Sequence, residues 1–445
     1  MPYVKRALFH PLVFAFLNAI LCYNLLPFGT PLKILALALL SALFIYYSVS
    51  PAADKGSPRR QRILLGGYEL LLASGALVAA EIALYACIAT LARLEDSNAM
   101  LIANGIFSAV FISVLLFNGM IRVAVASKQL GAVPRILMFF LWWVPVANVA
   151  VLWTVCKTVQ AEYTFLRDKR FLNEARKGSA VCATRYPLLL VHGVFFRDWK
   201  YFNYWGRIPG ELSGNGARVF YGNHNSALPV EQAGGQLKKR ILEIMAETGC
   251  EKVNIVAHSK GGLDARYAIS CLGLDAHVAS LTTVNTPHRG TPLAGKLLAI
   301  APDKLVSAVD RQYGKLFTKL GDDSCDFLGS VNGLTPEVCE QLNQIMPDRP
   351  GVLYQSVGSV MRAASSAGPP LNAGYAIIKP MGGGNDGLVC ADSMPWGHCL
   401  GILEPSGKRG ISHGDMIDLT RKNIPGFDVC EYYVQLASAL REKGL

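Results

Sequence analysis

Apolar positions run almost unbroken from residue 7 to residue 156, whereas from 178 to 445 they alternate with polar ones in short strand-like and helix-like segments. Five stretches of the first part, near 7–28, 31–50, 63–93, 99–125 and 134–156, are long enough to cross a hydrocarbon core at about 1.5 Å per residue. Runs of this kind keep no polar face for water, which argues against buried helices of a soluble domain. The third run carries Glu69 near one end and Glu81 near mid-membrane. An ionisable group at that depth either serves function or hydrogen-bonds a neighbour inside the bundle. The pattern therefore predicts a multi-pass transmembrane domain over 1–156.

Basic residues orient this domain. Lys5 and Arg6 precede the first span, Lys55, Arg59, Arg60 and Arg62 fill the second connection, and Arg122, Lys128 and Arg135 mark the fourth. The first and third connections are poor in Lys and Arg. By the positive-inside rule the amino terminus is cytoplasmic, and five crossings then place the C-terminal domain on the outer face of the cell membrane. Lys157, Arg167, Lys169 and Arg170, which follow the last span, pull the other way. Residues 157–183 read as a charged linker helix with interleaved Tyr163, Phe165, Leu166, Phe171 and Leu172, either lying along the membrane face or serving as a plain spacer.

The formal charge of +11 comes from 43 Lys+Arg against 32 Asp+Glu, without a basic stripe or interleaved aromatics. Nucleic acid is therefore not an expected partner, and a membrane surface accounts for the charge better. The 51% hydrophobic content averages over two unlike halves.

The second half alternates strand and helix. Pro187-Leu188-Leu189-Leu190-Val191 and Ala217-Arg218-Val219-Phe220-Tyr221 read as strands, 230–248 as a helix presenting Leu237, Ile241 and Ile244 or Met245, and Leu281-Thr282-Thr283-Val284-Asn285 as a later strand. This order predicts a mostly parallel sheet with helices on both faces, and reactive residues at the carboxyl ends of its strands. After the run Val253-Asn254-Ile255-Val256 comes Ala257-His258-Ser259-Lys260-Gly261, the alanine form of the G-x-S-x-G nucleophile elbow. A serine there needs a base, and the base needs a carboxylate to hold its tautomer. Asp386, in the glycine-rich 382–387 loop, and His413, in a late loop, follow Ser259 in the order Ser, acid, His. His258, His288 and His398 are rivals for the base. The amides of Val194 and Lys260 are placed to bind an oxyanion.

The segments Val191-His192-Gly193-Val194-Phe195-Phe196-Arg197-Asp198, 257–262, Asn285-Thr286-Pro287-His288-Arg289-Gly290-Thr291-Pro292 and Asn385-Asp386-Gly387-Leu388-Val389 resemble the bacterial true lipases of the triacylglycerol lipase family. The resemblance covers about 184–444 and none of the membrane half. It implies an α/β-hydrolase fold over 184–445 and carboxylic-ester hydrolysis by Ser259, Asp386 and His413. It also implies a lid within 295–345, where Leu297, Leu298, Ile300, Leu305 and Val306 either cover an acyl groove or belong to the core. Lys260 stands where glutamine is common, a change expected to matter little because the backbone is the donor. Many members hold a structural calcium. Asp415 matches one ligand position, but no carboxylate lies between Arg349 and Asn385 to match the other. This argues against calcium, and no cofactor is required; there is no zinc-like Cys or His spacing.

Eight of the 11 cysteines lie in the second half, an even number that suits an exported domain with disulfides. Cys325–Cys339 and Cys390–Cys399 are the near pairs, with free buried thiols the alternative. The expected function is a membrane-anchored serine hydrolase of lipid esters, with the bilayer and a lipid ester as partners. The alternatives are an acyltransferase or lipid-remodelling hydrolase of the same fold, and a lipid-binding membrane module without hydrolysis.

Overall fold

Two compact units, Met1–Ala175 and Arg176–Leu445, divide the chain in the computed structural model. The structure describes residues 9–52, 54, 56–91, 98–194, 203–225, 227–300, 326–404 and 407–445.

The first unit is helical. Its elements are α1 (His10–Leu17), α2 (Ala19–Leu25), α3 (Thr30–Val49), α4 (Arg59–Leu91), α5 (Asn98–Ala126), α6 (Ala132–Phe140) and α7 (Pro145–Ala175). Among the described residues α3, α4 and α5 are long and apolar enough to cross a membrane. Their outward side chains, such as Ile34, Leu35, Ile82, Ile102 and Ile106, are exposed, as lipid-facing positions are. Gly67 and Gly119 let α4 and α5 approach until a Cβ on either would lie 3.1 Å from the other's carbonyl oxygen. Glu81 faces the bundle interior. It accepts from Asn18 Nδ2 at 2.8 Å, and Asn104 Nδ2 donates to Asn18 Oδ1, also at 2.8 Å.

Among the described residues three helices, not the five expected, have the length and apolarity of a span. The stretch near 7–28 is broken at Asn18, whose side-chain amide turns back to the Phe14 carbonyl and across to Glu81. The stretch near 134–156 breaks between Phe140 and Pro145. Proline has no N–H to donate and disfavours helical geometry in the residue before it, so α7 starts anew at Pro145. From there α7 runs without interruption through the polar residues 157–175, so the expected last span and much of the expected linker are one helix.

This returning helix is tied to the beginning of α4 rather than to its end. Arg60 lies 3.1 Å from Glu162, whose carboxylate also accepts from Ser127 Oγ and from the Lys128 and Gln129 amides. Tyr163 donates to Asp54 at 2.7 Å.

The second unit carries β1 (Leu188–Val191), β2 (Val219–Tyr221), β3 (Val253–His258), β4 (Val278–Val284), β5 (Leu353–Ser359) and β6 (His398–Leu403). They form one sheet, ordered β2-β1-β3-β4-β5-β6, with every pair parallel. Its main helices are α8 (Ile208–Gly214), α9 (Val230–Thr248), α10 (Gly261–Cys271), α11 (Pro292–Ile300), α12 (Pro336–Ile345) and α13 (Val429–Glu442).

Strand alternation sends successive residues to opposite faces. Leu188, Leu190, Val256, Val284 and Val357 pack on one side with Ile208 and Leu212 of α8 and with Tyr433, Val434 and Leu440 of α13. Leu189, Val191, Ile255, Ala257 and Leu281 pack on the other with Leu237, Ile241 and Ile244 of α9 and Ala265 and Ile269 of α10. The central strands β1, β3, β4 and β5 are thus buried on both faces, and their carboxyl-terminal rim is where reactive side chains are expected.

The Glu162 network gives a stability test for the first unit. Glu162→Ala leaves Arg60 and three donors without their shared acceptor. It is expected to lower stability by about 3 kcal/mol, read as a fall in unfolding midpoint in detergent.

Candidate active site

At the end of β3 the chain reverses into α10 through Ser259, which has φ 56°. The left-handed region is uncommon for a side-chain-bearing residue and here is held by packing. The Ser259 amide donates to Val284 O at 2.9 Å. A Cβ on Gly261 would lie 2.4 Å from the His192 carbonyl, and one on Gly262 would lie 2.2 Å from Thr286 Oγ1. Glycine is required at both places. Ser259 is partly exposed between the buried His258 and Lys260.

The loop after β1 crosses beside the serine. A Cβ on Gly193 would sit 2.8 Å from Ser259 Cβ. Among the described residues neither the Val194 nor the Lys260 amide N–H donates a hydrogen bond, so both remain open to an incoming oxyanion.

His413 and Asp386 are brought together directly. His413 Nδ1 is 2.6 Å from Asp386 Oδ2, and the His413 amide donates to Asp386 O at 2.8 Å. Asp386 is fully buried and well satisfied. Its Oδ1 accepts from the Leu388 and Val389 amides at 2.9 and 2.8 Å, and its Oδ2 also accepts from Asn285 Nδ2 at 2.6 Å. Among the described residues Ser259 Oγ forms no hydrogen bond to His413; the two meet through His258.

His258 is therefore not the base but a brace. Its Nε2 lies 3.1 Å from His413 O and its Nδ1 lies 2.7 Å from Tyr204 OH. A carbonyl only accepts, so Nε2 carries the proton and Tyr204 donates to Nδ1. The Tyr204 oxygen in turn accepts from the Gly193 amide at 3.1 Å. One buried chain of hydrogen bonds thus joins the loop beside Ser259 to the backbone of His413. Burial, aided by the nearby His413, holds the His258 pKa well below 6.5.

The other rivals lie elsewhere. His288 is buried between Thr283, Arg266 and Trp396, and His398 opens β6 on an exposed face. Lys260 is less neutral than expected. Its side chain is buried, with Nζ 2.6 Å from Asp264 Oδ1, and Asp264 Oδ2 lies 3.5 Å from His224. Desolvation raises the Asp264 pKa to about 6 despite the pull of Lys260. The i,i+4 spacing of Lys260 and Asp264 was visible in the sequence; nothing there pointed to Tyr204 or Asn285.

Asp415 does not fit a calcium ligand. Arg409 holds both its oxygens, at 2.8 and 3.0 Å, and Ser412 donates to it as well. No group of three possible metal ligands occurs among the described residues. Cys390 and Cys399 are unbridged: Cys390 is buried, whereas Cys399 is exposed on β6. Cys325 lies outside the described residues, and Cys339 is buried with its thiol near Pro287 O and Gly333 O.

Of the lid candidate 295–345, residues 301–325, with Leu305 and Val306, lie outside the described residues, as does the Ile300 side chain. Leu297 is exposed and Leu298 half-buried. The stretch from Pro336 is core, with Cys339 and Leu342 packed on Val230 and Leu263.

A strained serine at a strand-to-helix elbow, beside open amides and a carboxylate-held imidazole, defines a carboxylic-ester hydrolase of the α/β-hydrolase fold. Two curated relatives named triacylglycerol lipase make the assignment narrower. The one from Pseudarthrobacter phenanthrenivorans is 34% identical over 309 residues, spanning 54% of this chain and 96% of its own. The one from Burkholderia plantarii is also 34% identical over 309 residues, spanning 54% of this chain and 86% of its own. The chain belongs to the triacylglycerol lipase family. The crystal structure of the metagenomic carboxyl esterase MGS0156 is 18% identical, with a TM-score of 0.47, and covers 58% of this chain and 76% of that one. No family model matches.

Two outcomes are expected. Tyr204→Phe removes the link between Gly193 and His258 and should lower kcat about tenfold with KM nearly unchanged, measured by steady-state ester hydrolysis. Burial also depresses the pKa of His192, to about 3, and that of His288, well below 6.5. His192, His258 and His288 then bind protons only in the unfolded chain as pH falls below 6.5, while Asp264 opposes this in part. Urea unfolding should show about 3 kcal/mol less stability at pH 5.5 than at pH 7.

Proposed function

We propose that this protein is a membrane-anchored serine hydrolase that cleaves acyl esters of lipids through an acyl-enzyme. The observation that carries this reading is the His413–Asp386 pair, hydrogen-bonded at 2.6 Å beside the strained Ser259. Ser259 Oγ attacks the ester carbonyl while His413 Nε2 takes its proton. Asp386 holds His413 Nδ1–H and stabilises the imidazolium. The Val194 and Lys260 amides receive the oxyanion that develops as the carbonyl becomes tetrahedral. His413 then returns the proton to the leaving alcohol, and water repeats the sequence to release the acid. The missing Ser259–His413 hydrogen bond is ordinary for a site without substrate, where such contacts tighten on binding.

Lipid rather than a small ester is supported by the name of the relatives and by α3, α4 and α5, each able to hold the chain in a bilayer. A tether of this kind keeps the ester site at high local lipid concentration.

Ser259→Ala is expected to reduce kcat on p-nitrophenyl esters by about three orders of magnitude or more, and to abolish the fluorophosphonate adduct. A variant retaining a tenth of the rate would remove Ser259 from the mechanism. The chain should also stay with membranes through carbonate extraction.

A further inference from the structure

We infer that the last apolar segment enters the membrane and turns back, so that the ester-hydrolase unit lies on the cytoplasmic side and draws its substrate from the cytoplasmic leaflet. This rests on the membrane anchoring proposed above and reverses the outer-face location expected from five crossings.

The path of the chain can be followed from its contacts. His10 at the start of α1 lies 3.0 Å from Tyr47 near the end of α3, and Lys33 near the start of α3 donates to Tyr23 O near the end of α2. The α1–α2 pair therefore runs the full length of α3 in the opposite direction. Arg122 near the end of α5 donates to Ser48 O and Ser50 O at the end of α3, and Arg60 at the start of α4 donates to Ala126 O. The end of α3, the start of α4 and the end of α5 thus share one end of the bundle. Four passes, α1–α2, α3, α4 and α5, bring the chain back to that end.

The segment α6–α7 does not make a fifth. At nine residues, α6 is about 13 Å long, less than half of a hydrocarbon core of about 30 Å. Its break lies against the flank of the bundle part-way along α5: Trp142 packs on Phe117 with ring centroids 5.0 Å apart, and Trp142 and Asn148 line a cleft with Glu81, while Trp143 and Val146 are exposed. From there α7 returns. Val155 and Val159 are buried with Leu64, Leu65 and Val123; then Glu162 meets Arg60, and Arg170 meets Asp54 at 3.5 Å. The chain leaves at the end where it entered α6. The backbone at the break keeps internal partners: Leu141 donates to Leu137 O, Val144 to Leu141 O and Asn148 to Val144 O.

Charge identifies that end. It carries Arg59, Arg60, Arg62, Arg122, Lys128 and Arg135, and the exit of α7 adds Arg167, Lys169 and Arg170. The opposite end, residues 25–33, 85–91 and 98–101, has Lys33 as its single described basic residue. The positive-inside rule makes the basic end cytoplasmic. The basic residues after α7, awkward for an outer-face domain, are then on the expected side. Buried thiols such as Cys182, Cys339, Cys390 and Cys430, packed as small apolar groups, suit a reducing compartment.

The test uses the full chain in a bacterial host, fused at its C-terminus to green fluorescent protein or to alkaline phosphatase. Fluorescence with an inactive phosphatase is expected; an active phosphatase overturns the inference. In parallel, a membrane-impermeant fluorophosphonate is applied to intact and to permeabilised cells. Labelling of Ser259 should rise at least about tenfold on permeabilisation, and equal labelling of intact cells overturns the inference. Absence of labelling in both conditions would sink the hydrolase reading, while the fusions still decide the topology.

Discussion

Ser259 stands where β3, α10 and the loop after β1 come closer than any side chain larger than hydrogen would permit at Gly193, Gly261 and Gly262. That closeness goes with the positive φ of the serine, and among the described residues neither the Val194 nor the Lys260 amide beside it donates a hydrogen bond. The strain is held by the two cores on either side of the sheet, which fix β3 and α10 independently of the turn between them. A nucleophile made in this way needs no special acidity of its own. It needs a base at the right distance and water kept from the backbone around it.

In the proposed mechanism the base comes from two late loops, and the surrounding polar groups explain why they stay in place. Asp386 is satisfied by two amides and by Asn285, so its carboxylate is fixed before it meets His413. The His413 backbone is fixed from the other side by His258, itself held by Tyr204. Buried polar chains of this kind are costly when broken, because each member then leaves a partner desolvated and unpaired. The Lys260–Asp264 pair under the elbow adds a second such network. The same principle holds in the helical unit, where Glu81 is matched by Asn18 and Glu162 by Arg60 and three donors.

In the helical unit the decisive event is a proline. Pro145 interrupts the apolar run near 134–156, so that one long helix becomes the short α6 and the separate α7. In the topology inferred above, the compartment of the hydrolase unit follows from that break together with the placement of arginines at one end of the bundle.

Local pattern carried much of this. The strand–turn–helix at 253–271, the alternation of strands and helices, the apolar runs and the order Ser259, Asp386, His413 are all consequences of short-range sterics and periodicity, which a sequence displays directly. Tyr204, Asn285 and the brace role of His258 were not legible, because each acquires its partner across 54 to 155 residues and only folding sets those distances. The pairing Cys390–Cys399 failed for the same reason: nearness along the chain says nothing about which face of the fold each thiol takes. Hydropathy likewise measures how apolar a segment is, not whether it goes through. Pro145 marks where α7 begins, but the meeting of α7 with Arg60 and of Trp142 with Phe117 is made between helices, an interaction that no one-dimensional window contains.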